Sequence, residues 1–162
     1  MLFKGISPRG QLLEDAWEGI VERRGATTFM TKASPKPTAP GIDLGTVEGM
    51  GQTVLNEVKF YGGRVGPSRI SSLGLHHGGE AQSLNALTLN LNRAMAGAEQ
   101  AGLANAVSAI EQRAFAVRLI GGPGTMFDRQ AIAQALATRG INNVMFETIR
   151  WPQLLRHIML GR

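Results

Sequence analysis

The sequence contains no cysteine, so neither a disulfide framework nor a thiolate zinc site is open to it. Aromatic residues are scarce, at 6%, which argues against a base-stacking platform of the RNA-recognition kind. No apolar run approaches the roughly 18–20 residues that a membrane-crossing helix needs, and no membrane partner is expected. The opening Met-Leu-Phe-Lys lacks the apolar stretch and small-residue cleavage site of a secretory signal. Repeats and low-complexity tracts are missing as well. What remains is an ordinary globular balance, with 43% hydrophobic and 18% charged residues in 162. That length suits one domain with a full core, spanning 1–162, and also suits a module excised from a longer protein.

Charge is the less ordinary feature. The net charge is +5, and arginine exceeds lysine by thirteen to four, which favours bidentate contacts with phosphate. From Arg113 onward there are seven arginines against only Asp128 and Glu147, whereas the first helical stretch carries Glu14, Asp15, Glu18 and Glu22. A cationic surface on a compact domain fits a polyanionic partner, because each phosphate neutralised releases condensed counterions.

Leu12, Leu13, Ala16, Trp17, Ile20 and Val21 recur at helical spacing and predict an amphipathic helix over residues 11–24, stopped by Gly25. Residues 26–31 read as a strand, and the three prolines within 32–41 impose a loop. Residues 42–47 and 53–61 read as an antiparallel hairpin turning at Gly49 and Gly51. Residues 62–79 form a long glycine-rich connection carrying Arg64, Arg69, His76 and His77; such connections are usually functional or mobile. A helix follows over 80–101, with Ala81, Leu84, Leu87, Leu91, Ala94, Met95 and Ala98 on one arc and Gly102 as its end or a kink. Then come a strand (115–120), a tight turn (121–124), a helix (127–139), a strand (144–149) and a short basic helix (153–160). An early meander followed by helix–strand crossovers implies an α/β domain, with a mixed sheet and helices on both faces.

The most informative stretch is Asn56-Glu57-Val58-Lys59-Phe60. Alternation sets Val54, Val58 and Phe60 on one face and Leu55, Glu57, Lys59 and Tyr61 on the other. A carboxylate and an ammonium thus stand side by side, next to the strand that bears Asp43 between Ile42 and Leu44. Two carboxylates bind a hard divalent cation through oxygen, and such a cation orients water and offsets charge developing on a phosphate. A neighbouring lysine can stabilise the phosphorane or help deprotonate the attacking water.

Asp43 and, fourteen positions on, Glu57-Val58-Lys59 follow a helix and lie on successive strands; the arrangement resembles the PD-(D/E)XK nuclease core. That resemblance implies a restriction-endonuclease-like αβββαβ core, a mixed central sheet flanked by helices. Gly10-Gln11-Leu12-Leu13-Glu14 is similar to the Gly-x-x-x-Glu start of the first helix in several branches, which implies Glu14 as the supporting carboxylate. The proline of the family motif is displaced, since Gly41-Ile42 precedes Asp43 and Pro40 stands further back. The implied catalytic set is Glu14, Asp43, Glu57 and Lys59. Glu14, Asp43 and Glu57 would hold the metal: Mg2+ first, with Mn2+ or Zn2+ as alternatives. Size and basic character resemble the C-terminal toxin domains of contact-dependent growth inhibition and related polymorphic toxin systems. That closer likeness implies delivery by secretion or from the cell surface, as part of a larger bacterial protein. The expected action is cleavage of tRNA or DNA in the target-cell cytoplasm, with a cognate immunity protein as a partner.

Candidate substrate contacts are Arg64, Arg69, His76, Gln82 near the start of the second helix, and Arg113, with Arg118 and a tail patch of Arg150, Arg156, His157 and Arg162 behind them. Trp151 reads as a packing anchor. For Arg118 an exposed place on a sheet edge is the simplest expectation. Two other readings stay open: a DNA-processing nuclease such as a junction resolvase, and a non-enzymatic basic nucleic-acid-binding module in which Glu57 and Lys59 are only a surface pair. The oligomeric state is left open.

Overall fold

The computed structural model describes residues 8–31, 41–75 and 79–161. Helix α1 (Pro8–Arg23) buries Leu13, Ala16, Trp17, Ile20 and Val21, the residues whose spacing predicts it. Gly25, at φ +89°, ends it by turning the chain so that Ala26 N–H reaches the Val21 carbonyl at 3.0 Å. Strands β1 (Thr27–Thr31), β2 (Leu44–Glu48) and β3 (Gln52–Lys59) then form an antiparallel meander. Its β2–β3 turn rests on Gly49 and Gly51, both at positive φ.

After β3 come β4 (Gly63–Val65), α2 (Glu80–Gln100), α3 (Ala104–Glu111), β5 (Ala116–Gly121), β6 (Thr125–Phe127), α4 (Arg129–Ala137), β7 (Val144–Thr148) and α5 (Trp151–Leu160). The main sheet has the order β1-β2-β3-β5-β7, antiparallel across the meander and parallel from β3 through β5 to β7. Leu13, Trp17, Val58, Ile120 and Leu154 form one core beneath α1 and α5. Leu55, Leu87, Leu119, Ile132 and Leu136 form another beneath α2, α3 and α4. The domain is therefore a mixed α/β layer structure with helices on both faces. The expected order αβββαβ runs through β5, with β4 and α3 added.

Several expectations are corrected. The 62–75 segment is no loose connection: β4 pairs in parallel with β6, two short 3-10 turns follow (Pro67–Arg69 and Ser71–Leu73), and Val65, Ile70 and Leu73 are buried. Its glycines serve turns between apolar anchors, which a count of glycines does not distinguish from slack. Gly102, at φ +72°, follows the end of α2 as expected, and the unexpected element is α3, which starts two residues beyond it. On α2 the inward arc is Ser83, Leu87, Asn90, Leu91, Ala94 and Ala98, so the helix is rotated from the predicted face and Leu84 is exposed. Arg118 lies in β5, an interior strand with neighbours on both sides, and is buried.

Trp151 is 57% exposed, because α5 starts there, two residues earlier than expected with Pro152 in its first turn, and Leu154 takes the inward position. Trp151, Leu155, Ile158 and Met159 share the outer side of α5, so the tail surface is apolar as well as basic. Arg162 lies outside the described residues. Among the described residues no helix is long and apolar enough to cross a membrane.

Candidate active site

Asp43 sits one residue before β2 and bonds across to β3. Its N–H donates to the Asn56 carbonyl at 3.0 Å, and its Oδ2 accepts the Val58 N–H at 2.7 Å. The last paired position is Leu44 opposite Asn56, so Asp43 stands beside Glu57. Both are buried, at 7% and 4% exposure. Two strands separated by the β2–β3 turn thus bring two carboxylates into one place.

The alternation that predicts Glu57 and Lys59 on a common face holds, but that face is not open. Segment 71–73 covers it, and the Ser72 hydroxyl donates to Glu57 Oε2 in a short hydrogen bond. Lys59 Nζ lies 3.3 Å from Glu57 Oε1 with its side chain still partly exposed. The cluster therefore holds two carboxylates and one ammonium, an excess of negative charge with little water to screen it.

Burial is the main cause pushing the Glu57 pKa above its ordinary value, and the Asp43 charge adds to it. Lys59 and the Ser72 hydroxyl oppose them without prevailing. Burial pulls the Lys59 pKa down, but the charges of Glu57 and Asp43 outweigh it and hold Lys59 above its ordinary value. Lys59 consequently stays an ammonium at neutral pH, which suits it to stabilise charge and not to accept a proton.

Glu57 folds into a place where its proton is retained, whereas the unfolded chain releases it at a lower pH. In the absence of a divalent cation, this group's contribution to stability therefore falls as pH rises from the ordinary carboxylate range through its raised value. Glu57→Gln is expected to flatten that fall and to unfold at a higher temperature than the parent at pH 7–8 in EDTA. Thermal unfolding across pH 4.5–8 checks it; a variant with the parent's slope would remove the assignment.

Glu14 and Glu18 of α1 line a cleft of about 60 Å3 together with Gln11, Thr31 and Asp43. Burial, then the neighbouring Glu22 and Asp15, raises the Glu18 pKa. Among the described residues no three His, Asp or Glu side chains gather closely enough to hold a metal ion. Asp43, Glu57 and Lys59 are brought together, and Glu14 lines the cleft beside Asp43 without joining them in a common ligand sphere. The two buried carboxylates still suit Mg2+ or Mn2+, which take oxygen donors and commonly keep waters alongside one or two carboxylates. The described cluster lacks the nitrogen or sulfur donors that favour zinc.

Of the expected substrate contacts, Arg64 is exposed on β4. Arg69 stacks over the Tyr61 ring at 4.2 Å, and Tyr61 in turn influences Lys59, so this pair borders the site. Gln82 faces solvent on the first turn of α2, while Ser83 beside it points inward. Arg113 is not near the cluster. Gly121, at the far end of β5, lies beside Lys59, whereas Arg113 precedes the start of β5 at φ +58° and donates to the Arg139 carbonyl. His76 and His77 lie outside the described residues.

Sequence reasoning missed Ser72, Asn90 and Arg93. Asn90 stands three residues from Leu87 and four from Ala94, but at the border of the predicted arc of α2, so its inward place does not show in the sequence. Ser72 had only its place between Ile70 and Leu73. Comparison of the chain with protein-family models, with curated proteins and with solved structures returned no match.

Proposed function

We propose that this protein is a metal-dependent endonuclease that cleaves phosphodiester bonds of tRNA or DNA, built on the PD-(D/E)XK plan and acting as a bacterial toxin module with an immunity protein as partner. The observation that carries the nuclease reading is the meeting of Asp43, Glu57 and Lys59 at one end of β3, with both carboxylates buried although they stand fourteen residues apart in the chain, and Lys59 partly exposed beside them. Such a trio is costly to fold unless it has a task, since the second carboxylate gains only part of its compensation from one lysine. A surface pair, the non-enzymatic reading, would be exposed; Glu57 is not.

In this reading Asp43 and Glu57 would hold a divalent cation, which would supply Lewis acidity toward the phosphate. Ser72 orients Glu57 from behind. Lys59, kept charged, faces the charge that develops on the phosphorane oxygens. Arg64 and Arg69 on the adjoining segment offer cationic contacts to flanking phosphates, a sequence-independent contribution that weakens with salt.

The test is incubation of the purified protein with total tRNA and with plasmid DNA, in Mg2+ or in EDTA. Discrete fragments only in Mg2+ are expected, and they name the substrate. Intact substrates beside a working control nuclease would overturn the reading. Because a carboxylate must lose its proton to bind metal, and burial raises the Glu57 pKa, Mg2+ affinity is expected to strengthen as pH rises above the ordinary carboxylate range. Calorimetric titration checks this, and a pH-independent affinity would remove Glu57 from the ligand set.

A further inference from the structure

We propose that Asn90 of α2 is a positioning residue for the metal site, fixing the separation of the Asp43 and Glu57 carboxylates through the backbone segments that carry or face them. The inference rests on the nuclease reading above. Asn90 is 2% exposed on the inward face of α2, among Leu87, Leu91 and Ala94, with Ser83 the other buried polar residue there. A carboxamide there is unfavourable unless its donors and acceptor are met. They are met at the two places that matter. Its Oδ1 accepts the Ile42 N–H at 3.4 Å, and its Nδ2 donates to the Ser72 carbonyl at 3.2 Å and to the Ala86 carbonyl at 2.9 Å.

Ile42 is the residue before Asp43, and Ser72 is the residue whose hydroxyl holds Glu57. One side chain thus ties the carrier of the first carboxylate to the partner of the second. Arg93, one turn further along α2, donates to the Ile42 carbonyl at 2.6 Å. Ile42 precedes the paired part of β2, so its amide and carbonyl take their partners from the helix and not from the ladder. Gly41 completes the clasp. A Cβ there would stand 2.6 Å from Arg93 Nη1 and would push the guanidinium off Ile42.

The chemistry of the amide is specific. Aspartate in its place would lose the donors and bring a third negative charge near the cluster, and leucine would fill the space while leaving Ile42 N–H and Ser72 C=O without this partner. Two ionised carboxylates repel each other, so before a cation arrives something must hold them at the binding separation. The clasp does this from a rigid helix, and its loss is expected to act on metal affinity and turnover ahead of nucleic-acid binding.

The test is Mg2+ titration by calorimetry of the parent, Asn90→Ala, Arg93→Met and, as a control for general softening, Leu136→Ala in the core under α4. Folding is checked by circular dichroism and thermal unfolding. Asn90→Ala is expected to weaken Mg2+ binding about tenfold or more, as removal of an outer support of a metal ligand does. It should lower kcat with KM for nucleic acid unchanged. Arg93→Met should shift both in the same direction by less, and Leu136→Ala should lower the unfolding temperature at parental Mg2+ affinity.

A folded Asn90→Ala with parental Mg2+ affinity would overturn the proposal while leaving the nuclease reading intact. So would an equal loss in Leu136→Ala. If Asn90→Ala does not fold, Asn90→Ser and Arg93→Met decide on the same criteria. A parent protein that neither binds Mg2+ nor cleaves would remove both readings together.

Discussion

Lys59→Ala is expected to lower Mg2+-dependent cleavage by about 10²–10³-fold, the usual loss when one preorganised donor to a transition-state oxyanion is removed. The chain should remain folded. Lys59 is partly exposed at the end of β3, and the strand pairs through its backbone with β5 as far as Gly121. Its removal leaves Glu57 buried without its cation. That carboxyl responds by keeping its proton to a higher pH, which limits the cost in stability to less than that of an ionised orphan.

The same response gives the experiment a second readout. In Lys59→Ala the pH at which Mg2+ binds half-maximally should move upward, because Glu57 surrenders its proton later. Single-turnover cleavage of whichever nucleic acid the parent attacks, followed from pH 6 to 9, measures both effects. A folded Lys59→Ala with cleavage within threefold of the parent would take Lys59 out of the chemistry.

How much of this was legible beforehand depended on the kind of signal. Asp43 and Glu-x-Lys could be read because strand alternation has a period of two and a carboxylate between Ile42 and Leu44 contradicts its surroundings. The α1 face could be read because six apolar residues repeat at the helical period and Gly25 supplies the stop. The packing of 62–75 could not, since the anchors Val65, Ile70 and Leu73 are spaced irregularly through turns, and their burial follows from β4 meeting β6 some sixty residues later. Ser72 belongs to that segment, so the group covering Glu57 was hidden with it. Asn90 was hidden for a different reason. The predicted arc of α2 was rotated toward Ala81 and Leu84, which turned the inward carboxamide outward on paper. Arg113 is a candidate only by its charge near a strand. Charge gives no indication of which end of a parallel strand meets the site.

Arg118→Met is expected to destabilise the domain by up to about 3–5 kcal/mol, the range for removing one partner from a buried ion pair, since Arg118 is buried and Glu48 half-buried. Arg118 donates to both Glu48 oxygens at 2.7 Å and to Asn56 Oδ1 at 3.2 Å, and its guanidinium stands 5.4 Å from the centre of the Trp17 ring. Trp17 Nε1–H shares the same Asn56 oxygen at 3.1 Å, so one arginine joins α1, β2, β3 and β5 beneath the helix layer. The Glu147 contact at 3.7 Å and the half-exposed Arg24 beyond it add little, because water screens them. Burial alone would raise the Glu48 pKa, but hydrogen bonds from Arg118 and Thr46, with the arginine charges, hold it below the ordinary value. Glu48 therefore contributes stability that is present above about pH 4.3 and is lost as pH falls through its lowered value. In Arg118→Met that contribution is already gone, so the variant should show a shallower acid limb as well as a unfolding temperature lower by roughly 10 °C. Adding Glu48→Gln to it should recover much of the loss, since the stranded carboxylate and not the missing bond makes up most of the cost. Urea midpoints from pH 3 to 7 for the three proteins measure this. A single variant as steep in acid as the parent would place the stabilising charge elsewhere in the fold.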